Sequence, residues 1–365
     1  MKIYRKQFAA CRAMLAAVGS MALLGLSSCE EKTAAEGQTP AADKAGNKEQ
    51  ASAAAEQAAP ADSSAAVAEA REALLKTLIY DLGRCASDIA VHPELNAAVR
   101  NMLEALENYY NQNKESLNGT TERVQLALRM ADTTRNLTAW NRAIAFYTEA
   151  KEAYDALPEG KKNEAENKRL LSSICNGQAF CHMRAGDMQA ALSLYNDGLS
   201  IDEELYAAVI PSDGPAIPEK GEIPAGVPAA AAAVFSSYRC LGECQMLAED
   251  PEEARVTLKR GIEMAEELRR MTPEMHMQYI RLLVAIGNLE SRCGNDREVL
   301  KYWNHAAEMC RALYGATTDP ALRFRVEQAF NNLVPNVKAL AEKLQIGQET
   351  TGDSQSEPAP GTELN

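Results

Sequence analysis

From about residue 62 to residue 345 apolar positions recur at three- and four-residue steps and seldom alternate, the spacing of helices rather than strands. The stretch ELNAAVRNMLEALENYY places Leu95, Val99, Met102, Leu103, Leu106 and Tyr110 on one helical face. Helix starts are marked too. Asp250-Pro251-Glu252-Glu253 supplies an N-cap, a proline at the first helical position and acids in the first turn, and Thr272-Pro273 and Asp319-Pro320 repeat the device. About eleven helices with short connections predict an all-α body over 62–345. One interruption stands out: five prolines between 210 and 228 predict an irregular loop, either a functional loop, as ones of that length often are, or a plain inserted linker. Residues 29–61 are poor in large apolar side chains and predict a disordered tether with an r.m.s. reach of roughly 30 Å. Residues 346–365 carry Glu349, Asp353, Glu357 and Glu363 with no base, and predict a disordered acidic tail.

The whole chain has six phenylalanines and two tryptophans, few for one large core. Stacked helix pairs need only small and medium residues where they touch, and a repeating frame of such residues is present. Tyr238, Leu241, Gly242 and Gln245 are followed by Ala254 and Leu258. The same frame takes in Leu283, Ile286, Gly287, Glu290, Val299 and Trp303, then Gln178, Ala179, His182, Ala191 and Tyr195, and also Met130, Ala131, Ala143 and Tyr147. Over residues 124–315 the chain thereby resembles the tetratricopeptide-repeat family, whose pattern is W-x2-L-G-x2-Y followed by a small residue and an aromatic. The resemblance implies a right-handed α-α superhelix, a solenoid of antiparallel helix pairs. Helices at about 64–84 and 94–115 would add a degenerate pair, and one at about 320–345 would cap the end. The steps between equivalent residues, 48, 63 and 45, exceed the family's 34. No proline stands at the thirty-second place, where Asp155, Glu203, Glu266 and Arg311 are found.

Charge and the start of the chain narrow the setting. The formal net charge is −13, and removing residues 1–28, with four bases and no acid, gives −13 − 4 = −17. So acidic a chain does not suit nucleic acid, where Lys and Arg contacts to phosphate dominate affinity. Lys2, Arg5, Lys6 and Arg12 precede the apolar run Ala13–Leu26, which reads as a secretory signal too short to span a bilayer. Leu26-Ser27-Ser28-Cys29 resembles the lipobox of bacterial lipoproteins. That resemblance implies cleavage before Cys29, a diacylglycerol on its sulfur and an acylated amine, so the membrane would be a partner through that lipid. Glu30 and Glu31 then favour the outer membrane, on its periplasmic face or at the cell surface.

No catalytic pattern appears: no G-x-S-x-G elbow, no phosphate-cradling glycine loop, no H-E-x-x-H. Cys85, Cys175, Cys181, Cys240, Cys244, Cys293 and Cys310 remain once Cys11 is removed and Cys29 lipidated, an odd number at no zinc-like spacing, with one disulfide left open. The expectation is a non-enzyme without cofactor or metal. In the family resembled, the second, fifth, ninth, twelfth and thirteenth places of each first helix line an inner groove. Carried over, these give Asn176, Phe180, Met183 and Arg184, then Arg239, Glu243 and Met246, then Arg281, Asn288 and Arg292. Asn176, Arg184, Arg239, Asn288 and Arg292 are the candidate peptide-binding residues, since arginine's planar fork suits carboxylates. The function expected is a lipid-anchored envelope scaffold binding a protein or peptide, in outer-membrane or envelope assembly. The alternative is a glycan-capturing lipoprotein resembling the starch-binding repeat proteins, with Trp140 and Trp303 as the available tryptophans, both on packing places.

Overall fold

The computed structural model describes residues 79–80, 82–83, 85–86, 89, 92–210, 222–268 and 270–352, with the side chains of 345–352 excepted. The chain divides into two compact units, Met1–Glu115 and Ser116–Asn365. Among the described residues eleven α-helices and no strand are found.

In the first unit a 3-10 turn, Pro93–Leu95, leads into α1, Asn96–Asn113. The face read from the sequence is the buried one: Val99, Met102, Leu103, Leu106 and Tyr110 are each at most 3% exposed. Most of the expected helix at 64–84 lies outside the described residues.

The second unit holds α2 (Thr121–Asn136), α3 (Trp140–Asp155), the single turn α4 (Glu159–Lys162), α5 (Ala165–Ala185), α6 (Met188–Val209), α7 (Val227–Leu247), α8 (Pro251–Glu266), α9 (Pro273–Arg292), α10 (Asp296–Ala316) and α11 (Pro320–Gly352). Turns of two or three residues join α2 to α3, α5 to α6, α7 to α8 and α9 to α10, so each pair is antiparallel. The second helix of each pair packs on the first helix of the next, and the first helices α2, α5, α7 and α9 pack in succession. This is an all-α, tetratricopeptide-like solenoid. The long steps between units are taken up by long helices, such as the 22 residues of α6, and by the connections at 156–164 and 210–226.

Small residues make the pairing work. Ala131, Ala179, Gly242 and Gly287, all buried, each lie sixteen positions before Tyr147, Tyr195, Leu258 and Trp303. A Cβ on Gly242 would meet Leu258 Cγ at 2.6 Å, and one on Gly287 would come within 2.3 Å of Cδ1 and Nε1 of Trp303. Neither helix pair could close to this distance with a side chain there. Ala143, Ala191, Ala254 and Val299 are the matching small residues of the second helices, each at most 1% exposed.

The turns repeat as closely as the helices. Thr138, Gly186, Glu249 and Gly294, each seven residues past the small residue, have φ of 61°, 92°, 64° and 77°. The next residue's amide then reaches back five positions: Ala139 to Thr134 O, Asp187 to His182 O, Asp250 to Gln245 O and Asn295 to Glu290 O, at 2.9–3.2 Å. That is the Schellman closure of a helix end. The expected caps are also seen, with Asp250 Oδ1 accepting from the Glu253 amide at 3.1 Å and Thr272 Oγ1 from the Met275 amide at 3.4 Å.

Two boundaries differ from the sequence reading. Val227 and Pro228, placed in the proline-rich loop, open α7, because a proline at the first helical turn donates no needed hydrogen bond. The last helix continues to Gly352, past the expected boundary at 345. Residues 211–221 of the loop, the tether and signal at 1–61, and 353–365 of the tail lie outside the described residues.

Candidate functional site

The inner faces of α7, α9 and α11, with Trp303 of α10, line an open cavity of about 600 Å³. Three arginines reach it, one from each helix: Arg239, Arg281 and Arg325. Arg239 is paired with Glu243, one turn on, at 2.6 Å, and also contacts Cys240 Sγ. Among the described residues neither Arg281 nor Arg325 forms an ion pair. Arg281 reaches only the neutral Gln278 side chain, at 3.4 Å. Desolvation by the cavity walls, followed by the charges of Arg239 and Arg325, holds the Arg281 guanidinium below the usual arginine range. Arg281 and Arg325 are exposed, so water and salt screen much of the repulsion among the three like charges, and an entering anion would relieve the rest.

The remaining lining is apolar or a neutral amide. Met277, Ile280, Val284, Trp303 and Leu333 make the floor, and Phe324, 52% exposed, stands at the side. Asn288, Gln328, Asn332 and Asn336 present amides, which both donate and accept. Glu243 is the single acid of the lining, so the wall carries three positive charges against one negative. The arrangement can take a segment bearing carboxylates and one or two apolar side chains.

Of the residues read from the sequence, Arg239 and Asn288 line this cavity, as do Arg281 and Glu243. The other three candidate peptide-binding residues, Asn176, Arg184 and Arg292, do not. Asn176 is built into the body, its Nδ2 donating to Ser172 Oγ at 3.2 Å and to Ser237 Oγ at 2.9 Å, with Gly198 leaving room beside it. Ser237 in turn donates to the buried carboxylate of Asp202 at 2.6 Å. Burial raises the Asp202 carboxyl above its ordinary range, against the hydrogen bonds from Ser237, Ser172 and Asn176. Arg184 is exposed, its guanidinium 5.6 Å from the Trp140 ring, which is itself edge-on to Phe180. Arg292 is exposed at the last residue of α9. Cys29 lies outside the described residues.

The sequence reading missed Arg325, Phe324, Gln328, Asn332 and Asn336, all on α11. Their three- and four-residue spacing on one helical face was a usable signal. The repeat frame does not extend to α11, which lacks the paired small residues that mark a repeat although it packs on α10 as the next inner helix. Among the described residues no group of acids, histidines and cysteines could hold a metal ion, and no helix is long and apolar enough to cross a membrane. Of the cysteines expected to remain, Cys175, Cys181, Cys240, Cys244, Cys293 and Cys310 form no disulfide in this structure.

No family model matches the chain, and no curated protein matches it. Among solved structures it is similar to a Podosopora anserina putative kinesin light chain with nearly identical TPR-like repeats, at 14% identity, 65% of this chain, 98% of that chain and a TM-score of 0.42. A singly substituted form of that protein gives 14%, 62%, 95% and 0.44. BtubC (BKLC) from P. vanneervenii gives 15% identity, 67% of this chain, 94% of that chain and 0.42. The helix-pair packing described above, rather than these distant likenesses, defines the fold.

Proposed function

We propose that this protein is a non-enzymatic scaffold that grips an acidic segment of a protein partner in the cavity between α7, α9 and α11. One observation carries the reading: three guanidinium groups from three successive inner helices converge, and two of them have no ion pair among the described residues. The apolar floor adds affinity for a neighbouring side chain of the partner. The net charge of −13 makes the cavity a local exception, so its positive wall would select by position rather than by general attraction.

The sequence signal at Cys29 supports a lipid anchor, which would place the scaffold in the bacterial cell envelope, at the outer membrane, with a role in envelope assembly. Replacing Cys29 by Ala should release the protein from membranes and stop incorporation of labelled palmitate. The glycan reading gains no support. Trp140 is engaged by Phe180 and Arg184, and Trp303 is packed along one edge against Gly287 and lines a cavity whose charged groups are mostly arginines, which suits an anion better than a sugar.

The test is fluorescence anisotropy of a labelled hexapeptide, Glu-Ala-Glu-Ala-Glu-Leu, against the full chain. Arg281→Gln with Arg325→Gln should weaken binding by roughly ten-fold or more, since a charge-assisted hydrogen bond is worth about 1.5–3 kcal/mol. Affinity unchanged by the double substitution, in a protein of unchanged helicity, rules the cavity out.

A further inference from the structure

We infer that the cavity has an occupant built into the same chain: the acidic segment 353–365 that follows α11 docks there in cis and must be displaced by any partner. The inference rests on the cavity reading above and specifies what competes for it.

Charge complementarity is the first support. The segment DSQSEPAPGTELN carries Asp353, Glu357 and Glu363 and no base, while the lining carries three arginines and Glu243 alone against them. Glu363 is the acid placed to meet the arginines, because Asp353 and Glu357 lie only one and five residues past Gly352. Its chemistry matches beyond charge, with Leu364 next to Glu363 and prolines at 358 and 360 that lower the entropy lost on docking. Reach is the second support. From Gly352 back to Asn336 is sixteen residues of helix, or about 24 Å at 1.5 Å per residue, and to Arg325 about 40 Å. Glu363 lies eleven residues past Gly352 and can travel up to about 36–40 Å. The arginine and glutamate side chains close several more ångströms, so contact with Arg325 does not demand a fully extended chain. The location is the third support, because α11, which the segment extends, supplies seven of the fifteen lining residues.

A tethered segment competes at an effective concentration of about 1 mM. With an intrinsic dissociation constant of about 100 µM it would leave roughly one cavity in ten open, and an external ligand would bind about ten-fold more weakly than to an open cavity.

The experiment compares the full chain with a full-length variant carrying Asp353→Asn, Glu357→Gln and Glu363→Gln. The probes are a labelled peptide of residues 353–365 and the unrelated hexapeptide Glu-Ala-Glu-Ala-Glu-Leu. Both should bind the variant about ten-fold more tightly than the unaltered chain, and adding Arg281→Gln and Arg325→Gln to the variant should remove that binding. Equal binding of the hexapeptide to both chains overturns the cis occupant and leaves the cavity reading standing. Binding of neither peptide to either chain overturns both. In a Trp140→Phe background, neutralising the segment should also shift the emission of Trp303, which lines the cavity; an unmoved spectrum counts against docking. Light scattering should show the same mass at low and high protein concentration. Self-association that the neutralised segment abolishes would place the segment in a second copy and overturn docking in cis.

Discussion

Gly287 on α9 meets the Cδ1–Nε1 edge of the Trp303 indole on α10, with no space for even a methyl group between them. Trp303 also lines the cavity. One contact therefore sets both the closeness of the last helix pair and the depth of the candidate site. Gly287→Ala should force the indole or the helix to move, costing about 1–3 kcal/mol. Thermal unfolding would show the loss, and acidic-peptide affinity should fall with it. Gly242→Ala, against Leu258, should cost a similar amount in stability, since a Cβ there comes within 2.6 Å of Leu258 Cγ.

The four Schellman turns share one backbone shape but not one residue. Glycine fills two of them, whereas Thr138 and Glu249 hold φ of 61° and 64° with a Cβ in the way. The left-handed region costs an L residue about 1–2 kcal/mol, partly offset by glycine's greater freedom when unfolded. Thr138→Gly and Glu249→Gly should each stabilise the protein by about 0.5–1 kcal/mol, with Thr138 gaining more because it is β-branched. Chemical denaturation measures the difference, and a midpoint that falls would contradict it.

Two buried acids should move stability in opposite directions with pH. Asp202 has a raised carboxyl pKa in the fold, caused first by burial. The unfolded chain therefore ionises more easily, and stability declines as pH rises from 3.8 through the folded value. Asp202→Asn should be more stable than the unaltered protein at neutral pH, with the advantage fading as pH falls toward 3.8.

Glu290 behaves the other way. Arg255 donates to its two oxygens at 2.6 and 3.2 Å, Asn295 adds a third hydrogen bond at 2.5 Å, and the carboxyl is held below its ordinary 4.5, chiefly by Arg255. Its contribution is present above 4.5 and lost as pH falls through the lowered folded value. Arg255→Leu leaves a carboxylate that is 4% exposed without its charge partner, and should cost about 3 kcal/mol. Denaturation midpoints between pH 3 and pH 7 for both variants separate the two acids.

Thiol labelling should follow burial. Cys293 is exposed, while burial pushes the thiols of Cys175, Cys181, Cys244 and Cys310 up to about 11. Thiolate is the reacting form, so mass spectrometry after brief alkylation near pH 8 should find Cys293 modified first. The other four should react only on unfolding, and rapid labelling of Cys175 in the native state would contradict the packing.

Helices, caps and repeat spacing were legible in the sequence because each is a short-range property. Apolar side chains at three- and four-residue steps must share a face, and Thr272-Pro273 can start a helix with no help from elsewhere. The small residues at 131, 179, 242 and 287, with their partners sixteen positions on, carried the pairing rule, and the same frame put Arg239 and Asn288 on the inner faces that line the cavity. What the inner faces meet was settled only by the tertiary structure. Asn176 holds the same frame position as Arg239, yet Ser237 from the next pair closes over it. Arg184 and Arg292 sit at helix ends, beyond where the faces converge. Arg325 comes from a helix that no repeat signal marks, and it reaches the others because α11 stacks on α10 as a further inner helix. Periodicity states which residues share a side of one helix. The turn of each pair against the next, set by long-range packing and connector length, decides which of those sides enclose a site.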